Sequence, residues 1–352
     1  MLKDRFAVLA VGTLLLLITV PYLLAFMTAP DGTQFVGSFH DPFDTPVYLS
    51  AMRAGARGEL LRTLPFTSEP HAAALYYPFY MLLGHIAPPT IITYHVARVV
   101  MALLLSFAVG RLLSDVLVAQ LEWRVAFVLS ILGLGVGWLV VIGGFWTIVR
   151  PTDLFAPTST LFGSAFINPH FPLAAALELL SFSAYLRARR HPYRDGTLLL
   201  GALSCFALGW VLPFSLVVVA LVLLADVGVD SVRSRRLWTP SARAALFILA
   251  LSGPTVVYYY SLAHGVQFWA DLVAQWPPLD HTFTPPDYVA GYGLMLGLAI
   301  VGGVFAMSRR ASTAAERFLV VWFVVNGLLV ASPLDFSDRT SLAYGVPLAI
   351  LS

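Results

Sequence analysis

Long apolar runs separated by short charged links set the pattern of this chain. The runs cover residues 6–27, 90–118, 125–149, 171–186, 197–225, 244–263, 289–307 and 316–331. About 20 apolar residues carry an α-helix across a bilayer. The runs do not alternate in polarity, so they predict helices and not the strands of a membrane barrel. Residues 72–87 are apolar but stop at Pro88-Pro89, too short for a crossing, and predict a re-entrant or interfacial helix. Residues 197–225 are too long for one span and are interrupted by Pro213, which predicts two short helices turning near Leu212-Pro213. The expected fold class is all-α: a polytopic transmembrane helix bundle of about ten membrane segments.

The links carry the orientation. Lys3 and Arg5 precede the first run; Arg187, Arg189, Arg190 and Arg194 follow the fourth. Arg233, Arg235, Arg236 and Arg243 form a third basic link, and Arg309-Arg310 a fourth. Basic links stay on the cytoplasmic side. The first run exceeds the roughly 7–15 residues of a signal-peptide core, so it reads as an uncleaved helix with its N-terminus inside. Outside then lie a first loop at 29–89, a second at 150–170, a third at 264–288 and a short fourth at 332–340. Residues 46–61 interleave Val47, Leu49, Met52, Leu60 and Leu61 with Arg53, Arg57 and Glu59, the pattern of an amphipathic helix on the outer interface. The whole of 1–352 reads as one transmembrane domain. Because it stops within the apolar GVPLAILS, further spans are expected beyond it.

Composition agrees with this picture. Hydrophobic residues make up 59% and charged residues 11%, against about 25% charged in a soluble domain. The single cysteine, Cys205, rules out an internal disulfide. There is no GxxxxGK[ST] phosphate loop and no HExxH zinc motif. No nucleic-acid partner is expected.

The polar residues gather outside. A long structured polar loop after the first helix is hard to explain as a connector. It holds Asp41, Asp44, Arg53, Glu69 and His71; the second loop holds Asp153, Asn168 and His170; the third holds Trp269, Trp276, Asp280, His281 and Asp287; the fourth holds Asp335, Asp338 and Arg339. Arg98 lies about 12 Å inside the outer end of its span, with His95 one turn away. A charge there is costly on insertion scales, so Arg98 either snorkels outward or binds an anion.

The string Asp44, Tyr48-Leu49, Arg53, Gly55, then Glu69-Pro70 and Tyr76-Tyr77, resembles the first loop of bacterial arabinofuranosyl- and mannosyltransferases of the GT-C superfamily. The N-terminal helix, the long acidic loop and the many spans are similar to that superfamily too, as are PPDYVAGYG and PLDFSDRTSLAYGVPLAI. The resemblance implies a bacterial cytoplasmic-membrane enzyme moving a hexose or pentose from a polyprenyl-phosphate sugar. Its acceptor would be a hydroxyl of a glycan, lipid or protein, on the outer face of the cell envelope. An acceptor hydroxyl needs a carboxylate to take its proton as it attacks. Asp44 matches the superfamily's acidic position, with Asp41 second; HDPFD replaces an adjacent acidic pair. Asp41 and Asp44 can alternatively hold a divalent cation, Mg or Mn, against the phosphate; the superfamily includes members that need no metal. Arg53, Arg98 and Arg339 are candidate phosphate cations. Glu69, His71 and His170 are candidate substrate contacts.

Two other functions remain open at this level. A transporter or flippase uses ionisable groups near the midplane, where Glu178 is the clearest, partly exposed or paired with an arginine of another helix. A non-catalytic membrane assembly protein with a decayed enzyme fold would keep the architecture without the activity.

Overall fold

A computed structural model describes residues 4–40, 42–133, 135–190, 195–275, 283–309, 312–332, 334 and 337–352. Among them the structure is helical, and the one β-type pairing is an isolated antiparallel bridge between Arg62 and Ala74. In chain order the helices are α1 (Arg5–Met27), α2 (Asp44–Ala56), α3 (Pro78–Ile86), α4 (Ile91–Val116), α5 (Gln120–Leu132) and α6 (Gly137–Ile142). There follow α7 (Thr152–Phe155), α8 (Leu161–Ile167), α9 (His170–Arg190), α10 (Asp195–Val211), α11 (Pro213–Ser234) and α12 (Pro240–Ala250). The last are α13 (Gly253–Gly265), α14 (Gln267–Gln275), α15 (Pro285–Ser308), α16 (Ala314–Val330) and α17 (Gly345–Leu351).

Among the described residues α1, α4, α11 and α15 are long and apolar enough to cross a membrane, and α12 with α13 make a fifth if counted as one bent span. The chain is thus an integral membrane protein. These four or five spans do not establish the ten segments expected from the sequence.

Several boundaries differ from the apolar runs, each for a local reason. Helix α5 takes in Gln120–Arg124, expected as a link, so only Leu117–Ala119 separates it from α4. The run 125–149 is not one helix: α5 ends at Leu132, where Gly133, Gly135 and Gly137 interrupt it, and α6 resumes for six residues. Glycine loses most conformational freedom in a helix, so a cluster of three favours a break. The run 244–263 bends by 48° between α12 and α13 beside Gly253-Pro254. Leu212-Pro213 does separate two helices, α10 and α11, because proline opens a helix readily but cannot continue one.

The core is built around α9. It packs against α4, α8, α10, α11 and α12, burying Ala174, Ala175, Ala176, Leu179, Phe182 and Tyr185. The alanines let neighbouring backbones approach closely, the usual means of association between membrane helices. The expected amphipathic segment becomes α2, but α2 is no free surface helix. Tyr48, Ala51, Met52 and Ala54 are buried against α3. The two helices cross at glycines: a Cβ on Gly55 would lie 1.9 Å from the Met81 carbonyl oxygen, and one on Gly84 would lie 1.9 Å from that of Met52. The re-entrant segment is likewise shorter than 72–87. Only Pro78–Ile86 is helical, while Ala74 is tied to Arg62 by backbone hydrogen bonds of 3.0 and 2.9 Å.

Candidate active site

The α2–α3 pair sets a wall of tyrosines over the start of α9. Tyr48 of α2 stacks on Tyr80 of α3, with ring centroids 4.4 Å apart and planes 12° apart. Tyr94 of α4 continues the stack at 6.1 Å from Tyr80, and Tyr77 meets Tyr48 edge-on at 5.2 Å. The polar ends are held as well. Tyr80 Oη lies 2.7 Å from His170 Nδ1, and the Tyr94 hydroxyl donates to Asn168 Oδ1. Phenols suit this role because a buried ring that keeps one polar tip needs one partner for it.

Asp44 sits at the open edge of this wall. It is the first residue of α2 and is exposed, and the Tyr48 hydroxyl one turn later donates to its Oδ2 at 3.1 Å. A carboxylate in the first turn is favoured by the helix dipole. Burial raises the pKa of Tyr48, Tyr76 and Tyr77, with Asp44 adding to the rise in each. These phenols therefore keep their protons and serve as donors.

Two arginines complete the edge. Arg339 acts on Tyr76, Tyr77 and His170, and its guanidinium lies 5.0 Å from the ring centre of Phe214. Arg62 is one of the charged residues of the polar loop and was not among the expected site residues. It is only 2% exposed, its Nη1 donates to Ser50 Oγ at 2.9 Å, and its Nε and Nη2 have no partner among the described residues. Burial pulls its pKa below the ordinary guanidinium value. Tyr76 feels Asp44, Arg62 and Arg339 together, so one carboxylate and two cations share one neighbourhood. The sequence signal for Arg62 was available, since it stands in the same polar loop, but only the Arg62–Ala74 bridge turns it inward.

Tyr77 carries a further mark of the site. Its φ of 57° and ψ of 52° are left-handed, uncommon for a bulky residue, and Pro78 follows at once. Such a conformation costs on the order of 1–3 kcal/mol and persists only where the surroundings enforce it. Here it turns the chain from the bridged segment into α3.

The other expected residues fall elsewhere. His71 uses both ring nitrogens inside its own loop: Leu64 N–H donates to Nε2 at 2.8 Å, and Nδ1 donates to the Glu69 carbonyl at 2.8 Å. The ring stacks on Phe268 of α14 at 4.0 Å, and Leu75 N–H donates to Tyr258 Oη of α13 at 2.7 Å. His71 thus docks the first loop on the segment around α13 and α14. Trp269 is buried beside His71 and Tyr76. Glu69 is exposed. Arg53 is exposed in the last turn of α2, about 140° around that helix from Tyr48. His170 is held by Tyr80. Arg98 does not snorkel: it is 1% exposed, and its Nη1 donates to the carbonyls of Ala165 and Phe166 at 3.1 and 3.2 Å. It also lies 4.3 Å from the ring centre of Tyr22 and donates from Nε to His95 at 3.3 Å. It therefore closes the C-terminal turn of α8. Asp41, Trp276, Asp280, His281 and Asp335 lie outside the described residues, as does the side chain of Asp338.

The described residues offer no group of three or more His, Cys, Asp or Glu side chains that could hold a metal ion. Asp44 stands among phenols instead, and its possible partner carboxylate, Asp41, is not described. No step is derived through a metal ion.

Two acids lie away from this site. Asp153 of α7 is buried, accepts from Gly137 N–H at 3.3 Å through Oδ2, and has no partner for Oδ1 among the described residues. Burial pushes its carboxyl up to about 6. Glu178 is fully buried in α9. Both its oxygens lack a hydrogen-bond partner among the described residues, so the expected exposure or arginine pairing is not found.

Among solved structures, the crystal structure of the Archaeoglobus fulgidus oligosaccharyltransferase complexed with Zn and sulfate has a similar fold. The TM-score is 0.55 at 13% identity, over 99% of this chain and 48% of that one. The chain spans about half the length of that protein. No protein-family model matches the chain, and no curated protein sequence matches it.

Proposed function

We propose that this chain carries the catalytic face of a GT-C-type membrane glycosyltransferase, with about ten membrane segments and its N-terminus inside a bacterial cytoplasmic membrane. It moves a sugar from a polyprenyl-phosphate donor to a hydroxyl acceptor on the outer face. The fold shared with an oligosaccharyltransferase supports the class. The observation that carries the reading is Asp44, an exposed carboxylate in the first turn of α2, sharing the Tyr76 neighbourhood with Arg62 and Arg339.

The chemistry follows from charge. As the acceptor oxygen attacks the anomeric carbon, it sheds a proton and the lipid phosphate departs as an anion. Asp44 takes the proton; the Tyr48 hydroxyl, donating to Oδ2, holds the carboxylate in place. Arg62 and Arg339 meet the phosphate, where charge-assisted hydrogen bonds are strongest. Arg98 drops out of this role because α8 holds its guanidinium. Hexose or pentose, and glycan, lipid or protein acceptor, are the specificities to be sorted by assay.

The test is transfer from radiolabelled polyprenyl-phosphate sugars in membranes. Asp44→Asn keeps the size and the hydrogen bond from Tyr48 but removes the base, and transfer is expected to fall by about 10²–10⁴-fold. Undiminished transfer removes Asp44 from the mechanism.

A further inference from the structure

A second site lies at the far end of α9. Helix α9 starts at His170 in the tyrosine wall and runs 21 residues, about 30 Å, to Arg190. There the ends of α9 and α11, the following link and the starts of α12 and α16 enclose a cavity of about 350 Å³. That is within the range of small-ligand sites, about 300–1,000 Å³. Four arginines line it, Arg189, Arg190, Arg236 and Arg317, against one carboxylate, Asp230.

The charges are not balanced within the described residues. Arg189 is neutralised, by Asp226 and, at 3.5 Å, by Asp230. No carboxylate lies within ion-pair distance of Arg190, Arg236 or Arg317 among the described residues. Arg190 and Arg317 are instead anchored on backbone carbonyls, Nη2 of Arg190 on Asp115 at 2.7 Å and Nη1 of Arg317 on Ser312 at 2.5 Å. Anchoring of this kind fixes the side chain and leaves its charge unmatched. Basic links are expected on the cytoplasmic side for topology alone. Topology, however, requires only that the arginines be in the links, and here three segments distant in sequence bring them to one cavity. Helix α12 also begins at this cavity, and helix starts favour anions, whereas the start of α16 is already met by its own Glu316 carboxylate, which accepts from Thr313 N–H. Leu237 and Trp238, 89% and 63% exposed at its rim, are side chains of the type that settles at a lipid–water interface.

We infer that this cavity binds a phosphate-bearing anion, and that its occupant in the membrane is the head group of an anionic phospholipid. Arg190, Arg236 and Arg317 meet the phosphate, and Trp238 lies along the interface beside it. Basic recesses between membrane helices suit such head groups.

The experiment is native mass spectrometry of the full chain, purified in detergent and stripped of lipid, then offered phosphatidylglycerol or phosphatidylcholine of the same acyl chains. Phosphatidylglycerol is expected to remain as one retained copy where phosphatidylcholine does not. Arg236→Gln with Arg317→Gln should weaken its binding about thirtyfold, the effect of two charges near a membrane surface. The pair Arg236→Lys and Arg317→Lys keeps the charge and should stay within a few-fold of the parent, which separates lost charge from lost fold. Inorganic phosphate binding in the parent and not in the glutamine variant, with no preference between lipids, assigns the site to a soluble phosphate compound. Equal retention of both lipids, no phosphate binding and no effect of the glutamine pair overturn the inference.

Discussion

Arg62 and Asp153 show how a single side chain can be placed at a cost that calls for a reason. A buried arginine with two unsatisfied nitrogens is unfavourable unless something anionic meets it. If the donor phosphate is that partner, Arg62→Gln should leave thermal stability of the unliganded protein unchanged or raised while weakening donor binding. Charged hydrogen bonds contribute about 1.5–3 kcal/mol, so the donor KM should rise at least tenfold. A fall in the melting temperature with donor KM intact would make Arg62 a purely structural residue. Asp153 makes the opposite trade. Its carboxyl is pushed from 3.8 up to about 6 by burial, so between those values the folded chain keeps a proton that the unfolded chain has lost. Stability therefore falls as pH rises from about 4 to about 6. Relative to Asp153→Asn, the parent should lose on the order of 2 kcal/mol across that window, read from paired melting curves in detergent. A difference between the two proteins that does not change with pH sinks this assignment. At this scale the sequence was informative about residue type and poor about partners. It drew out Asp44 and Arg339 as polar residues of the links, and the proposed mechanism uses both. It had no means of showing that Arg98 faces the carbonyls ending α8 or that His71 closes on its own loop, because both depend on contacts far along the chain.

Between residue and fold, the α2–α3 crossing determines whether the site exists. The apolar periodicity of residues 46–61 announced a helix with one apolar face, and the structure supplies what that face meets. Periodicity cannot name a partner, so a helix expected to lie on lipid proved to be packed on another helix. The glycines carry the missing information, since Gly55 and Gly84 each admit the other helix's backbone. Gly84→Ala should force α2 and α3 apart, disturbing the Tyr48–Tyr80 stack, at about 1–3 kcal/mol. Gly12→Ala in α1 is the matched control. A Cβ there meets nothing within 4 Å, so only the helix-propensity gain of about 1 kcal/mol is expected. Melting temperatures of the two variants decide the matter, and equal shifts would show that the crossing is looser than its backbone distances say. Helix breaks follow the same division. Pro213 was legible as a break because one residue causes it. The bend at Leu251-Ser252 has the same kind of signal, Ser252-Gly253-Pro254, but it sits inside a run of ordinary span length, so the run reads as one crossing.

The whole molecule has two chemically different ends, and their assignment to the two sides of the membrane can be tested directly. Ion pairs that join helices collect at one end: Asp4 with Arg124 at 3.1 Å, Asp115 with Arg187 at 2.6 Å, and Asp226 with Arg189. They join the start of α1 to that of α5, and the end of α9 to those of α4 and α11. The tyrosine wall, Asp44 and His170 stand at the opposite end, because α9 runs from one to the other. On the proposed topology the basic links put the ion-paired end in the cytoplasm and the candidate active site outside. Single cysteines report this cleanly, since the one native cysteine, Cys205, is fully buried. Glu69→Cys and Ser234→Cys are both at exposed positions, the first in the loop that carries the site and the second at the end of α11. In intact cells a membrane-impermeant maleimide should label Glu69→Cys, and should reach Ser234→Cys only after the membrane is opened. The reverse pattern would invert the molecule and place Asp44 in the cytoplasm, where a soluble nucleotide sugar could serve as donor. Labelling of both positions from outside would mean an even number of crossings between them. That would overturn the pairing of α10 with α11 as a hairpin and, with it, the count of segments on which the outward-facing site rests.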